Sequence, residues 1–130
     1  MNKLTIRSLV DDNPEIVETY ECEHKVKDGK RMIAFDQPIY TSTARTVVTA
    51  EKGRAILLRN TAIPTRLEFV ENESVFGTYF TGIGEQRVKV STSKVSIDVS
   101  DNITKIRIHY KLLGLAENET TVKMNMTIED

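Results

Sequence analysis

Residues 87–99 read RVKVSTSKVSIDV, and the apolar positions change parity midway: Val88 and Val90 are even, while Val95, Ile97 and Val99 are odd. Successive side chains of a strand point to opposite faces, so alternation of apolar and polar residues marks a strand with one buried face. A parity change inside one such run predicts a β-bulge near Thr92, Ser93 and Lys94. One extra residue bends the strand and re-aims its inward set, which a closed or strongly curved sheet requires where a long strand rounds a corner. The segments that follow keep strict alternation. Ile106, Ile108, Tyr110 and Leu112 share one face of residues 104–113, and Val122, Met124, Met126 and Ile128 repeat the pattern downstream.

Upstream, Leu4, Ile6 and Val10 share a face of residues 3–10, and Ile16, Tyr20, Cys22 and Val26 share the even face of the next run. That run ends at Asp28-Gly29. Asp-Gly between alternating segments signals a type I′ hairpin, whose two central residues both take positive φ. Lys52-Gly53 repeats the signal between residues 45–50 and 54–60. A strand over 30–35 stops at Asp36-Gln37-Pro38, and a looser stretch follows. Glu71-Asn72-Glu73 separates a segment carrying Leu67 and Phe69 from residues 75–81, which precede Gly82-Ile83-Gly84. The sum is about ten strands with links of roughly two to six residues and no amphipathic run of helical period. Consecutive antiparallel strands leave two edges in an open sheet, and closure removes them. The expected fold is all-β, a single antiparallel up-and-down β-barrel of about ten strands, with residues 1–130 forming one domain. A β-sandwich needs a long crossover, and the two candidates, residues 36–44 and 114–118, are too short.

Composition agrees with strands. Val, Ile and Thr number 39 against 14 Ala and Leu, and branching at Cβ favours a pleated surface over a helix. Lys and Arg number 18 against 19 Asp and Glu, a net charge of −1, so no global field selects nucleic acid, an anionic membrane or an acidic substrate. The longest apolar run, residues 55–58, falls far short of the roughly 20 residues that span a bilayer as a helix. Cys22 is the only cysteine, so no internal disulfide forms and a reducing compartment fits. The N-terminal segment alternates at once and turns acidic at Asp11 and Asp12, without the apolar stretch of a signal peptide; a cytoplasmic location is expected.

Sites of chemistry are sparse. Tyr20, Cys22 and His24 share a strand face, but a metal there would need carboxylates such as Glu18 to complete its ligands. Gly82-Ile83-Gly84 lacks the third glycine and the following helix of a phosphate loop, and reads as a turn. His24 and His109 are the only histidines, and no strand-to-helix turn exposes a nucleophile, so neither catalysis nor a cofactor is expected. Lys105, Arg107, His109 and Lys111 form an outward row with Arg87, Lys89 or Lys123 as possible neighbours. Aromatics to stack on bases are absent from that row, so nucleic acid is not the favoured partner. No membrane association is expected either.

The inward set offers more. Tyr20, Tyr79 and Tyr110, with Thr81 and Thr92, place hydroxyls among Val, Ile, Leu, Phe and Met, and Arg59 or Arg66 would hold a carboxylate if either points inward. A barrel of about ten strands encloses more volume than such side chains easily fill. The expected function is binding of a small apolar or amphipathic molecule in the interior. The alternative is a non-enzymatic adaptor whose basic outer face contacts a protein or RNA partner.

The pattern Arg59, Arg66-x-x-Phe69, Tyr79-x-Thr81-x-x-Gly84, Thr92, Ile106-x-Ile108-x-Tyr110 and Asn125-x-Thr127-x-Glu129 resembles the YwiB-like family of uncharacterised bacterial proteins. The first half of the chain matches in strand pattern and turn placement. The resemblance implies a calycin-type barrel, related in shape to lipocalins and fatty-acid-binding proteins, and implies no activity. Unlike lipocalins, the chain has no paired cysteines.

Overall fold

Asp28 and Gly29 adopt φ of 53° and 78°, the two positive values a type I′ turn requires, so β2 (Ile16–Lys27) folds directly back into β3 (Lys30–Ile39). The same logic of short links builds the remainder. β1 (Asn2–Val10) precedes this hairpin, and β4 (Ser42–Glu51), β5 (Arg54–Asn60), β6 (Thr65–Val70), β7 (Glu73–Phe80), β8 (Glu85–Ser100), β9 (Ile103–Leu113) and β10 (Glu119–Glu129) follow it. The structure is a computed structural model and describes residues 2–39, 42–60, 64–80, 85–114 and 118–130.

Each strand pairs antiparallel with its neighbours in the chain, and β1 closes on β10, with Lys3 opposite Glu129 and Val10 opposite Val122. The result is a closed ten-stranded antiparallel barrel whose order around the ring is the order in the sequence. The register of β8 on β9 shifts between Thr92 and Lys94, where the change of parity places the bulge. Past it, β8 bends toward the end of the barrel that holds the β4–β5 and β6–β7 turns. Gly53 N–H donates to Val95 O at 3.3 Å and Asn72 N–H to Thr92 O at 2.8 Å. Val95 N–H donates to the Glu71 carboxylate at 2.8 Å. This end is solid: Leu4, Ile33, Ala50, Phe69, Ile106 and Ile128 are completely buried.

Two expectations need correction. β3 does not stop before Asp36; it continues through Pro38, which lies opposite Thr43 of β4. The β2–β3 ladder covers only Glu23–Lys27 with Lys30–Ala34, so one flank of β3 is unpaired beyond Ala34, and an unpaired flank tolerates a proline. The other concerns apolar residues assigned inward at strand ends. Val26 and Val99 are more than half exposed, because the strands there run out toward their turns, whereas Ile16, half exposed, does line the interior.

Candidate functional site

At the opposite end, where β1, β3, β5, β7 and β9 finish, the interior is not filled. A cavity of about 400 Å³ opens among Ile6, Leu57, Leu67, Met124 and Met126, with Glu18, Gln37, Thr46 and Arg59 as its principal polar lining. Its position follows from the pairing. Beyond Glu23 and Ala34 the backbones of β2 and β3 share no ladder, and side chains bridge the seam instead. Gln37 Nε2 donates to Glu18 Oε2 at 3.4 Å, and the Tyr20 ring packs on Phe35 with centroids 5.0 Å apart.

These polar groups form one connected chain. Tyr20 OH donates to Glu18 Oε2 at 2.5 Å. Gln37 Oε1 accepts from Thr46 Oγ1 at 3.2 Å and from Arg59 Nε at 3.2 Å. Burial first, then the hydrogen bond to Glu18 and its charge, pushes the Tyr20 phenol up to about 12, against smaller lowering by Gln37 and Arg59. Tyr20 therefore remains a proton donor at neutral pH, and the Glu18 carboxylate is supplied with two donors. Arg59 enters no ion pair among the described residues, and it lines the cavity. Among the described residues Arg59 is hydrogen-bonded through Nε alone, and the terminal nitrogens of a guanidinium suit a planar anion such as a carboxylate.

The structure sorts the residues singled out from sequence. Arg59 and Tyr110 line the cavity, Tyr110 stacking on Phe69 at 4.6 Å and 50°. Tyr20 reaches the site through Glu18 rather than lining it. Thr92 is buried away from the cavity, and its Oγ1 has no hydrogen-bond partner among the described residues. Arg66 is corrected: β6 turns Thr65, Leu67 and Phe69 inward, so alternation sends Arg66 to the outer wall. The Tyr79 side chain and Thr81, like Gly82-Ile83-Gly84, lie outside the described residues. Gln37 and Thr46 escape the sequence reading, and Glu18 enters it only as a metal ligand, although parity marks all three. Each stands two positions from an inward aromatic or aliphatic residue, namely Tyr20, Phe35 and Val48.

Cys22 and His24 do not converge on a ligand site. Cys22 is buried, and burial first, then the Asp130 charge, pushes its thiol up. His24 Nδ1 lies 3.2 Å from Asp130 Oδ1, and its Nε2 lies 3.2 Å from the Arg31 guanidinium. Arg31 can only donate, so Nε2 accepts and Nδ1 carries the proton toward Asp130. Both ring nitrogens are thereby engaged.

Residues 3–128 match the family described as Domain of unknown function (DUF1934). The chain belongs to this family. A relative, the uncharacterised β-barrel protein YwiB of Bacillus subtilis (strain 168), is 25% identical over 129 residues, spanning 97% of this chain and 91% of its own. The crystal structure of the ywiB protein from Bacillus subtilis shares the fold with a TM-score of 0.78 at 22% identity, covering 98% of this chain and 89% of that one. The likeness carried by motifs between Arg59 and Glu129 therefore extends over the DUF1934 barrel as a whole.

Proposed function

We propose that this DUF1934 member binds a small amphipathic acid, its apolar body in the cavity and its carboxylate on Arg59, without catalysing a reaction. The observation that carries this reading is a guanidinium outside any ion pair among the described residues, set at the wall of a largely apolar cavity of about 400 Å³. A volume of that order suits a small organic ligand. The Gln37 amide orients Arg59, and Glu18, held by Tyr20 and Gln37, is satisfied without competing for it. An up-and-down barrel with an interior cavity supports the calycin-like reading of its shape. The buried free thiol of Cys22 suits a reducing, cytoplasmic setting. Catalysis has no place in the proposal because His24 is engaged on both sides and His109 faces outward, away from the cavity.

The test is native mass spectrometry of freshly purified protein, joined to fluorescence titration with anilinonaphthalene sulfonate and its displacement by aliphatic carboxylic acids. Arg59→Met keeps the apolar stem and removes the charge, and should weaken acid displacement at least roughly tenfold while leaving the melting temperature near that of the parent. Equal displacement by the parent and by Arg59→Met would overturn the assignment.

A further inference from the structure

The wall formed by β8, β9 and β10 is charged unlike the rest of the chain. These strands carry seven Lys and Arg against four Asp and Glu, whereas the whole chain has 18 against 19. All eleven face outward, because the alternate positions fill the core. Register aligns them from strand to strand: Lys94, His109 and Lys123 stand side by side, and Ser91, Lys111 and Thr121 do so one step closer to the cavity end. Asp98 holds Arg107 at 2.6 Å and Glu119 holds Lys111 at 3.6 Å. Among the described residues, Lys89, Lys94, Lys105 and Lys123 enter no ion pair.

The aromatic that this row lacks stands on the neighbouring strand. Phe76 of β7 faces outward opposite Lys89, is 59% exposed, and has the Arg87 guanidinium 4.4 Å from its ring centroid. A depression of about 230 Å³ joins Phe76 and Arg87 to Arg66 and Thr78, with Glu85 the one carboxylate among two guanidinium groups. A second, of about 270 Å³, lies among Ser91, His109, Lys111 and Lys123. The cations are spread out rather than convergent. Lys94 and Lys123 flank β9 two strand spacings apart, about 9.5 Å, which is too wide for one small anion to bridge and suits a chain of them.

We propose that this wall binds single-stranded nucleic acid, with a base stacked on Phe76 beside Arg87 and successive phosphates on Lys111, Lys123 and Lys94. Exposed aromatic faces interleaved with cations are the general means of holding single strands, since every base has a face to stack. A duplex keeps those faces inside and has none to offer Phe76. The surface is separate from the cavity and does not depend on the ligand proposed there.

The experiment is fluorescence anisotropy of an end-labelled oligouridylate against the full chain between about 50 and about 200 mM salt. Three phosphate contacts predict a slope of log affinity on log salt near about −2. Lys111→Glu combined with Lys123→Glu should abolish binding, and Phe76→Ala should weaken it about tenfold. In the unsubstituted chain the His109 imidazole supplies an independent reading. Burial, and then Lys94, Lys123 and Arg107, hold it below its usual value against the raising effect of Asn125, so bound polyanion should move its NMR titration upward. Uptake of anilinonaphthalene sulfonate, followed in the same variants, should not change, which keeps this test distinct from that of the cavity. Absence of binding at the lowest salt, indifference to Phe76→Ala, or equal affinity for a duplex or inorganic polyphosphate would each overturn the proposal.

Discussion

A phenol bonded to a carboxylate resists ionisation, since losing its proton would leave two anions in contact. Tyr20 and Glu18 are such a pair at 2.5 Å, and burial adds to the effect, taking the phenol from 10.0 to about 12. The folded value lies above the unfolded one, so it is the neutral phenol that stabilises the fold. That contribution is whole below about pH 10 and is lost as the pH climbs to about 12. An ultraviolet pH titration should therefore show a tyrosine step near 12 that vanishes in Tyr20→Phe and moves down in Glu18→Gln. A titration unchanged by Glu18→Gln would remove the pair from the account. The same residues show what was readable beforehand. Parity alone marks Tyr20 as an inward hydroxyl, whereas Glu18 reads only as a metal ligand, because a carboxylate facing a core is the less ordinary choice.

Among the strands, β8 does the most to shape the molecule. The β7–β8 ladder ends at Thr92, and beyond it the Val95 N–H is accepted by the Glu71 carboxylate from the β6–β7 turn at 2.8 Å. Glu71 N–H in turn donates to Gly53 O at 2.9 Å, tying both turns and the bent strand together. Losing the carboxylate leaves a partly buried backbone donor unmet, so Glu71→Ala should lower unfolding free energy by about 1–3 kcal/mol, seen as a lower urea midpoint at unchanged slope. The neighbouring Glu73→Ala, at an exposed position, should change it by less than about 0.5 kcal/mol. Equal effects from the two would show that the bulge contact is not a support. The bulge itself was legible, because Val90 and Val95 cannot face one core without an extra residue between them. The continuation of β3 through Pro38 was not, because a proline reads as a stop unless the unpaired flank beside it is known. The stacking of Arg87 on Phe76 was also illegible, since the two meet only through the β7–β8 register.

Closure was readable for the barrel as a whole, because short links forbid a crossover and an open meander would leave two bare edges. The division of the interior into a solid end and a hollow one was not, since it depends on where β2 and β3 part. Closure also makes a prediction that separates ring from chain order. β1 and β10 are paired along their length, with Lys3 opposite Glu129, so a short linker can join them without disturbing a strand. The Asp28-Gly29 turn is the place to open the ring, since a Cβ added at Gly29 would meet nothing within 4 Å among the described residues. A circular permutant cut there keeps every ladder and should retain the parent's circular dichroism spectrum, elution volume and cooperative melting. Deleting residues 119–130 removes β10 instead and bares β1 and β9, whose Leu4, Ile6, Ile106 and Ile108 lose their cover. That chain should aggregate, as exposed edges template pairing between molecules. A permutant that fails to fold beside a truncation that stays soluble and cooperative would show that the order in which strands join the ring, rather than the closed ring itself, sustains the structure.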